Sequence, residues 1–193
     1  MPVYRVFIAI ELPADIQRLL ENISRDLQDK LRSCPIKWVP INSIHITIKF
    51  LGDVSASNLK VLTGILASEA SRHHPFTMNS GGLGAFPNLR RPRVIWVGMQ
   101  APDNLNALQK GVETGMNELG YPPEDRQFSP HLTLARISNN ATPEMVNQIG
   151  STLVVSHVES LGSFSLTSIH VFRSELKPTG AVYTRLFSAP LSR

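Results

Sequence analysis

The 193-residue sequence predicts an α+β chain of two similar halves enclosing a central cleft. Three observations predict it. Strand-like and helix-like periodicities alternate along the chain. The order strand, helix, strand, helix occurs twice. The second strand of each half carries the same polar pair, a histidine with a threonine two positions on, inside an alternating apolar run. In "SIHITIKFLG", residues 43–52, Ile44, Ile46, Ile48 and Phe50 fall on one face and His45, Thr47 and Lys49 on the other. In "SPHLTLAR", residues 129–136, Leu132 and Leu134 oppose His131 and Thr133. Of the six histidines, only these two are followed by such a threonine.

The elements follow in order. "VYRVFIAI", residues 3–10, reads as a strand. Pro13 opens a helix to about residue 32, with Ile16, Leu19, Leu20, Ile23, Leu27 and Leu31 at helical spacing. "CPIKWVP" reads as a connector. The first histidine strand follows and ends at Gly52-Asp53. Residues 56–72 form a second amphipathic helix through Leu59, Leu62, Ile65 and Leu66. "PFTMNSGGLGAFPNLRRP" reads as a short strand and a glycine-rich loop. The order then restarts. Residues 93–99 are a strand, and residues 103–119 a helix with Leu105, Leu108, Val112, Met116 and Leu119 inward. The second histidine strand spans about 127–135. Thr142 caps a fourth helix, with Pro143 at its first position and Glu144 in its first turn. The tail, 153–190, reads as strands, with a hairpin turn at Lys177-Pro178-Thr179-Gly180.

This order is that of an internal duplication. Halves packed about a pseudo-twofold axis would set the two histidine strands across one groove. Each polar face then lines a cleft instead of meeting bulk water.

Composition sets the bounds. The hydrophobic content of 42% suits one globular domain, or one domain of two lobes. No apolar run is long enough to cross a membrane, and the opening residues lack signal-peptide features. The single cysteine, Cys34, excludes an internal disulfide and a cysteine-rich metal site. A reducing cytoplasm is the expected location. The net charge is +4, with 13 of 19 basic residues being arginine, which is compatible with an anionic ligand such as RNA. No histidine has metal-ligand spacing with another His, Asp or Glu, so no zinc site is assigned.

Two histidines opposed across a cleft suit general acid–base chemistry. An imidazole titrates near ~6.5, so one ring can take a proton from water while the other gives one to a leaving oxygen. In-line displacement at phosphorus needs those groups on opposite sides of the reacting centre. The threonine hydroxyls can hydrogen-bond the non-bridging oxygens. A ribose 2′,3′-cyclic phosphate, with its built-in leaving group, is a natural substrate.

The chain resembles the 2H phosphoesterases, and within them the bacterial and archaeal RNA 2′,3′-cyclic phosphodiesterase branch, historically called 2′-5′ RNA ligase. "RVFIAIELP", "HITIKFLG", "RPRVIWVGM", "FSPHLTLAR" and "GAVYTRLFSAPL" carry the resemblance in order over nearly the whole length. It implies two pseudo-symmetric lobes, each an antiparallel sheet with helices outside, forming a single bilobal domain over 1–193 with His-x-Thr motifs at 45–48 and 131–134. It implies a metal-independent enzyme without cofactor that opens RNA 2′,3′-cyclic phosphate ends to 2′-phosphomonoesters. His45 would be the proton donor to the 3′ oxygen and His131 the proton acceptor from water. Thr47, Thr133 and Arg136 would bind the phosphate. The expected partner is RNA bearing a 2′,3′-cyclic phosphate or 2′-5′ linkage; no membrane is expected, and the chain is expected to be a monomer. The alternatives are 2′-5′ ligation or cleavage, another 2′,3′-cyclic nucleotide, or a non-catalytic RNA-binding module.

Several residues keep two readings. Strict alternation puts Arg136 opposite His131, so it reaches the site only if the strand bulges or ends there. Lys49 faces the anionic substrate or solvates a strand end. Phe128 stacks a base or sits in the core. Tyr183 lines the cleft or packs in the core. Arg90, Arg91 and Arg93 contact an RNA backbone or decorate a solvated loop. "GGLGAF" lacks the ending of a P-loop and reads as a turn. His73 and His74 lie at a helix end, and His157 and His170 on tail strands. Trp38 and Trp96 are expected in the core.

Overall fold

The computed structural model describes residues 2–156, 158, 160–178 and 180–192. His157 and Thr179, expected on a tail strand and in a turn, lie outside the described residues. The first half contains β1 (Val3–Glu11), α1 (Ala14–Lys30), β2 (Ile36–Trp38), β3 (His45–Ser55), α2 (Ala56–Ala70) and β4 (Phe76–Phe86). The second contains β5 (Val94–Gln100), α3 (Asp103–Glu118), β6 (His131–Ile137), α4 (Pro143–Val155), β7 (Gly162–Leu166), β8 (Ser168–Lys177) and β9 (Gly180–Pro190). Local chemistry sets the helix starts. Ser55 Oγ accepts from the Asn58 N–H at α2, and Thr142 Oγ1 from the Met145 N–H at α4, where Pro143 takes the first position.

Two antiparallel sheets result, ordered β3-β1-β8-β9 and β2-β6-β5-β4-β7. The histidine strand pairs with the opening strand of its own half in each sheet, β3 with β1 and β6 with β5. The later strands are exchanged: β4 pairs with β5, and β8 returns to pair with β1. Alternation divides each sheet into two faces. Val6, Ile8 and Ile10 share the main core with Ile16 and Leu20 of α1. Ile95, Leu132 and Leu134 join the same core with Leu108 of α3 and Ile149 of α4. On the opposite face of the first sheet, Phe7, Ala9 and Phe172 form a separate small cluster with Tyr183 against it. Among the described residues no helix is long and apolar enough to cross a membrane.

Several expectations need correction. The "CPIKWVP" connector contains β2, an edge strand paired with β6. β3 runs through Gly52 to Ser55 and does not stop at Gly52-Asp53; Gly52 takes φ 68° where the pairing with β1 slips. The "GGLGAF" turn lies inside the continuous strand β4, which has its own register slip between Ser80 and Leu83. The stretch 127–130 precedes β6, and residues 153–155 end α4 instead of opening a strand. Leu19, placed on the apolar face of α1, is 41% exposed. The hairpin at the end is as expected, with Lys177 paired to Gly180.

Candidate active site

His45 opens β3 directly after a 3₁₀ turn, Ile41–Ser43, and His131 opens β6. The two rings are held alike. His45 Nδ1 lies 2.9 Å from the Ser43 carbonyl oxygen, and His131 Nδ1 lies 2.8 Å from that of Ser129. A carbonyl only accepts, so each neutral ring carries its proton on Nδ1 and leaves Nε2 free to exchange a proton. One cleft of about 530 Å³ is lined by both rings, by Thr47 and Thr133, and by Arg136. The five residues singled out from the sequence therefore meet in one place.

Arg136 gets there by a bulge. Thr133 pairs with Trp96 and Ala135 with Ile95, so Leu134 is the extra residue. Two successive residues, Leu134 and Ala135, then face the core, and Arg136 returns to the cleft face. β3 slips at the matching point. Thr47 pairs with Ala9 and Lys49 with Ile8, leaving Ile48 extra. This overturns the alternation read from "HITIKF". Lys49 does not share the face of His45; it is 0% exposed, and its ammonium donates to a Glu113 carboxylate oxygen and to the Pro122 carbonyl. Phe50, expected in the core, is 61% exposed and lines the cleft. Phe50 is thus the counterpart of Arg136. The signal for it was the alignment of "HITIKF" with "HLTLAR", which places the two at one position.

The environments of the histidines differ. His45 stacks on Phe7 with ring centroids 4.7 Å apart and meets the Tyr183 ring edge at 5.2 Å. Burial is the main cause that pushes the His45 pKa down; the Ser43 carbonyl pulls it up, and charge on His131 pushes it down further. His131 meets Phe86 edge-on at 4.9 Å. Trp96 is not in the core as expected. It lies on the cleft side of the second sheet near His131, and a Cβ at Gly84 would overlap its indole. Trp38 packs partly buried against the core.

The remaining candidates separate. Tyr183 lines the cleft. Phe128 packs against the core and also lines a second groove of about 590 Å³. That groove shares Thr47, Phe50, His131, Thr133 and Arg136 with the cleft. Arg90, Arg91 and Arg93 are exposed on the β4–β5 connection and line neither the cleft nor the second groove. His73 contacts Glu69 at the end of α2. His170, on β8, contacts Ser168 and Ser188, and burial lowers its pKa more than nearby Glu11 raises it. Among the described residues no group of three or more His, Cys, Asp or Glu is arranged to hold a metal. Arg5, Phe7 and Ser174 also line the cleft and had drawn no functional reading from the sequence.

The comparisons with known proteins agree with the duplication. A family model described as LigT like phosphoesterase matches twice, over residues 10–96 and 97–183. The RNA 2′,3′-cyclic phosphodiesterase of Methanothermobacter thermautotrophicus is 32% identical over 182 residues, covering 93% of this chain and 95% of that protein. The protein of the same name from Aquifex aeolicus is 27% identical, covering 95% of each. Among solved structures, TT0787 of Thermus thermophilus superposes with a TM-score of 0.78 at 29% identity over 97% of each chain. E. coli LigT complexed with 3′-AMP superposes with a TM-score of 0.76 at 27% identity over the full length of both.

Proposed function

The chain belongs to the LigT-like phosphoesterase family, and from that premise we propose that it hydrolyses RNA 2′,3′-cyclic phosphate ends to 2′-phosphomonoesters by metal-independent two-histidine catalysis. One observation carries the reading: both His-x-Thr pairs and Arg136 line a single cleft, with each Nδ1 tied to a backbone carbonyl. The two lobes act as one bilobal domain, because each contributes one histidine.

The step balances without further reactants. His131 Nε2 takes a proton from water as its oxygen attacks phosphorus. The P–O3′ bond breaks on the opposite side, and His45 Nε2 delivers a proton to O3′. The Thr47 and Thr133 hydroxyls and the Arg136 guanidinium hold the non-bridging oxygens as charge builds there. The donor role of His45 comes from the family resemblance. Burial lowers its pKa in the free protein, so it must gain its proton as the phosphate anion enters; the anion favours the charged ring.

A second reading, cleavage or joining of 2′-5′ linkages, is favoured by the second groove. It opens from Thr47, Phe50, His131, Thr133 and Arg136 toward Phe128 and has room for a nucleoside beyond the phosphate. In the joining direction the two histidines exchange roles.

The deciding experiment is hydrolysis of a short RNA with a 2′,3′-cyclic phosphate in EDTA, by wild type, His45→Ala and His131→Ala. The expected result is EDTA-resistant 2′-phosphate, lost in both variants. Absence of turnover by folded wild type, with RNA affinity retained, would favour a binding module instead.

A further inference from the structure

Beyond the reacting centre, the cleft face of the first sheet is ordered in rows across its strands. Along β1, Ala9 lies beside Thr47, Phe7 beside Phe50 and Phe172, and Arg5 beside Ser174. Arg5 stands four residues from Ala9, roughly 13 Å along the strand at ~3.3 Å per residue. Threonine, aromatic and guanidinium rows therefore follow one another away from His45.

Arg5 and Ser174 both line the cleft. Among the described residues the Arg5 guanidinium makes no ion pair, even though Asp53 is its register partner on β3. Its neighbours on this sheet are engaged: Arg185 pairs with Glu11, and Arg173 with Glu175. Beside Arg5, Gly52 leaves the floor without a side chain. A guanidinium and a hydroxyl side by side offer several donors, the complement of a phosphate oxygen.

Resting on the phosphodiesterase reading, we propose that Arg5 and Ser174 form a subsite for the phosphate on the 5′ oxygen of the terminal nucleotide, selecting RNA ends over free cyclic mononucleotides. The terminal ribose is held at its 2′ and 3′ oxygens by the reacting centre. Its remaining ester position is the 5′ oxygen. In an RNA end that oxygen carries a diester; in a free cyclic mononucleotide it is a hydroxyl. One nucleotide laid across the Phe7–Phe50 row brings that position within reach of the Arg5 side chain.

Binding tests this without requiring turnover. Adenosine 2′-phosphate and adenosine 2′,5′-bisphosphate would be titrated calorimetrically into wild type, Arg5→Met and Arg5→Lys, with melting curves to establish folding. Wild type should bind the bisphosphate about tenfold tighter, as a charge-assisted hydrogen-bonded contact provides. Arg5→Met should remove that ratio, and Arg5→Lys should restore part of it. The parallel kinetic ratio, for a dinucleotide ending in a 2′,3′-cyclic phosphate over 2′,3′-cyclic AMP, should fall with it. The salt dependence of log(kcat/KM) for the dinucleotide should flatten by roughly 0.7. Equal affinity of wild type for the two ligands, or an equal loss of both in Arg5→Met, would overturn the proposal. Failure of turnover with the binding ratio intact would instead count against the hydrolase reading alone.

Discussion

At the residue scale the site is a pair of imidazoles whose Nδ1 atoms are tied to carbonyls two residues upstream. Each histidine should be worth about 10²–10⁴-fold in rate. Single-turnover assays on His45→Ala and His131→Ala, with circular dichroism to establish folding, measure this. The pH profile is set by the lowered His45 pKa. In the proposed reaction the donor must be protonated, so the competent fraction of His45 falls as pH rises through that pKa. The kcat/KM profile, which reports the free protein, should therefore show a bend below the ordinary histidine value of ~6.5 that His45→Ala removes. NMR titration of the His45 ring should give a midpoint below that value in the free protein, and a higher one with bound phosphate. A free-protein midpoint above it would contradict the burial argument. Phe50 presents an exposed ring to the cleft beside Phe7. Phe50→Ala should weaken substrate binding by about 1–3 kcal/mol, the worth of one base–aromatic stack. The effect should fall mainly in KM.

At the element scale, two bulges at matching points decide which residues the cleft receives. Both come directly after the threonine, in β3 and in β6. Each adds a second consecutive core-facing residue and turns the one after it back toward the cleft. In β6 that second core-facing residue is Ala135, a small apolar side chain that is fully buried. In β3 it is Lys49, and the core accepts it only with Glu113 of α3 and the Pro122 carbonyl as partners. Lys49→Met leaves the Glu113 carboxylate, 15% exposed, without its cation. It should cost about 3–5 kcal/mol of stability, whereas Lys49→Met with Glu113→Leu should recover most of that loss. Urea denaturation of the single and double variants checks both. Period-2 reasoning found the two histidine strands and their His-Thr face. It failed at Lys49 and Phe50 because the bulge adds one residue and turns the side chains after it to the other face, until the second slip at Leu51. The glycine-rich segment misled for a related reason. Gly82 takes φ 77° at a slip in the β4 pairing, and the Trp96 indole leaves no room for a side chain at Gly84.

At the scale of the whole molecule, the two halves of the chain are not the two sheets. β8 closes the first sheet against β1, and β4 joins the second sheet against β5. A fragment ending before β5 would leave β4 without a neighbour in either sheet. Fragments 1–92 and 93–193 should each be inactive and lack cooperative melting, and co-expression should recover activity if the exchanged strands find each other. Melting curves and the cyclic phosphate assay test both statements. The sequence by itself determined the alternation of strands and helices, the cap at Thr142, the duplicated order, and the pairing of each histidine with its threonine. These are local properties, set by side-chain periodicity and by hydrogen bonds within a few residues. Only the tertiary structure decided that Arg136 and Phe50 reach the cleft, that Lys49 leaves it, and that Arg5 and Ser174 stand side by side in it. Those placements depend on the register between strands far apart in the chain. Register is set by which residues the shared core accepts, so it is a property of the assembled sheets and of no single segment.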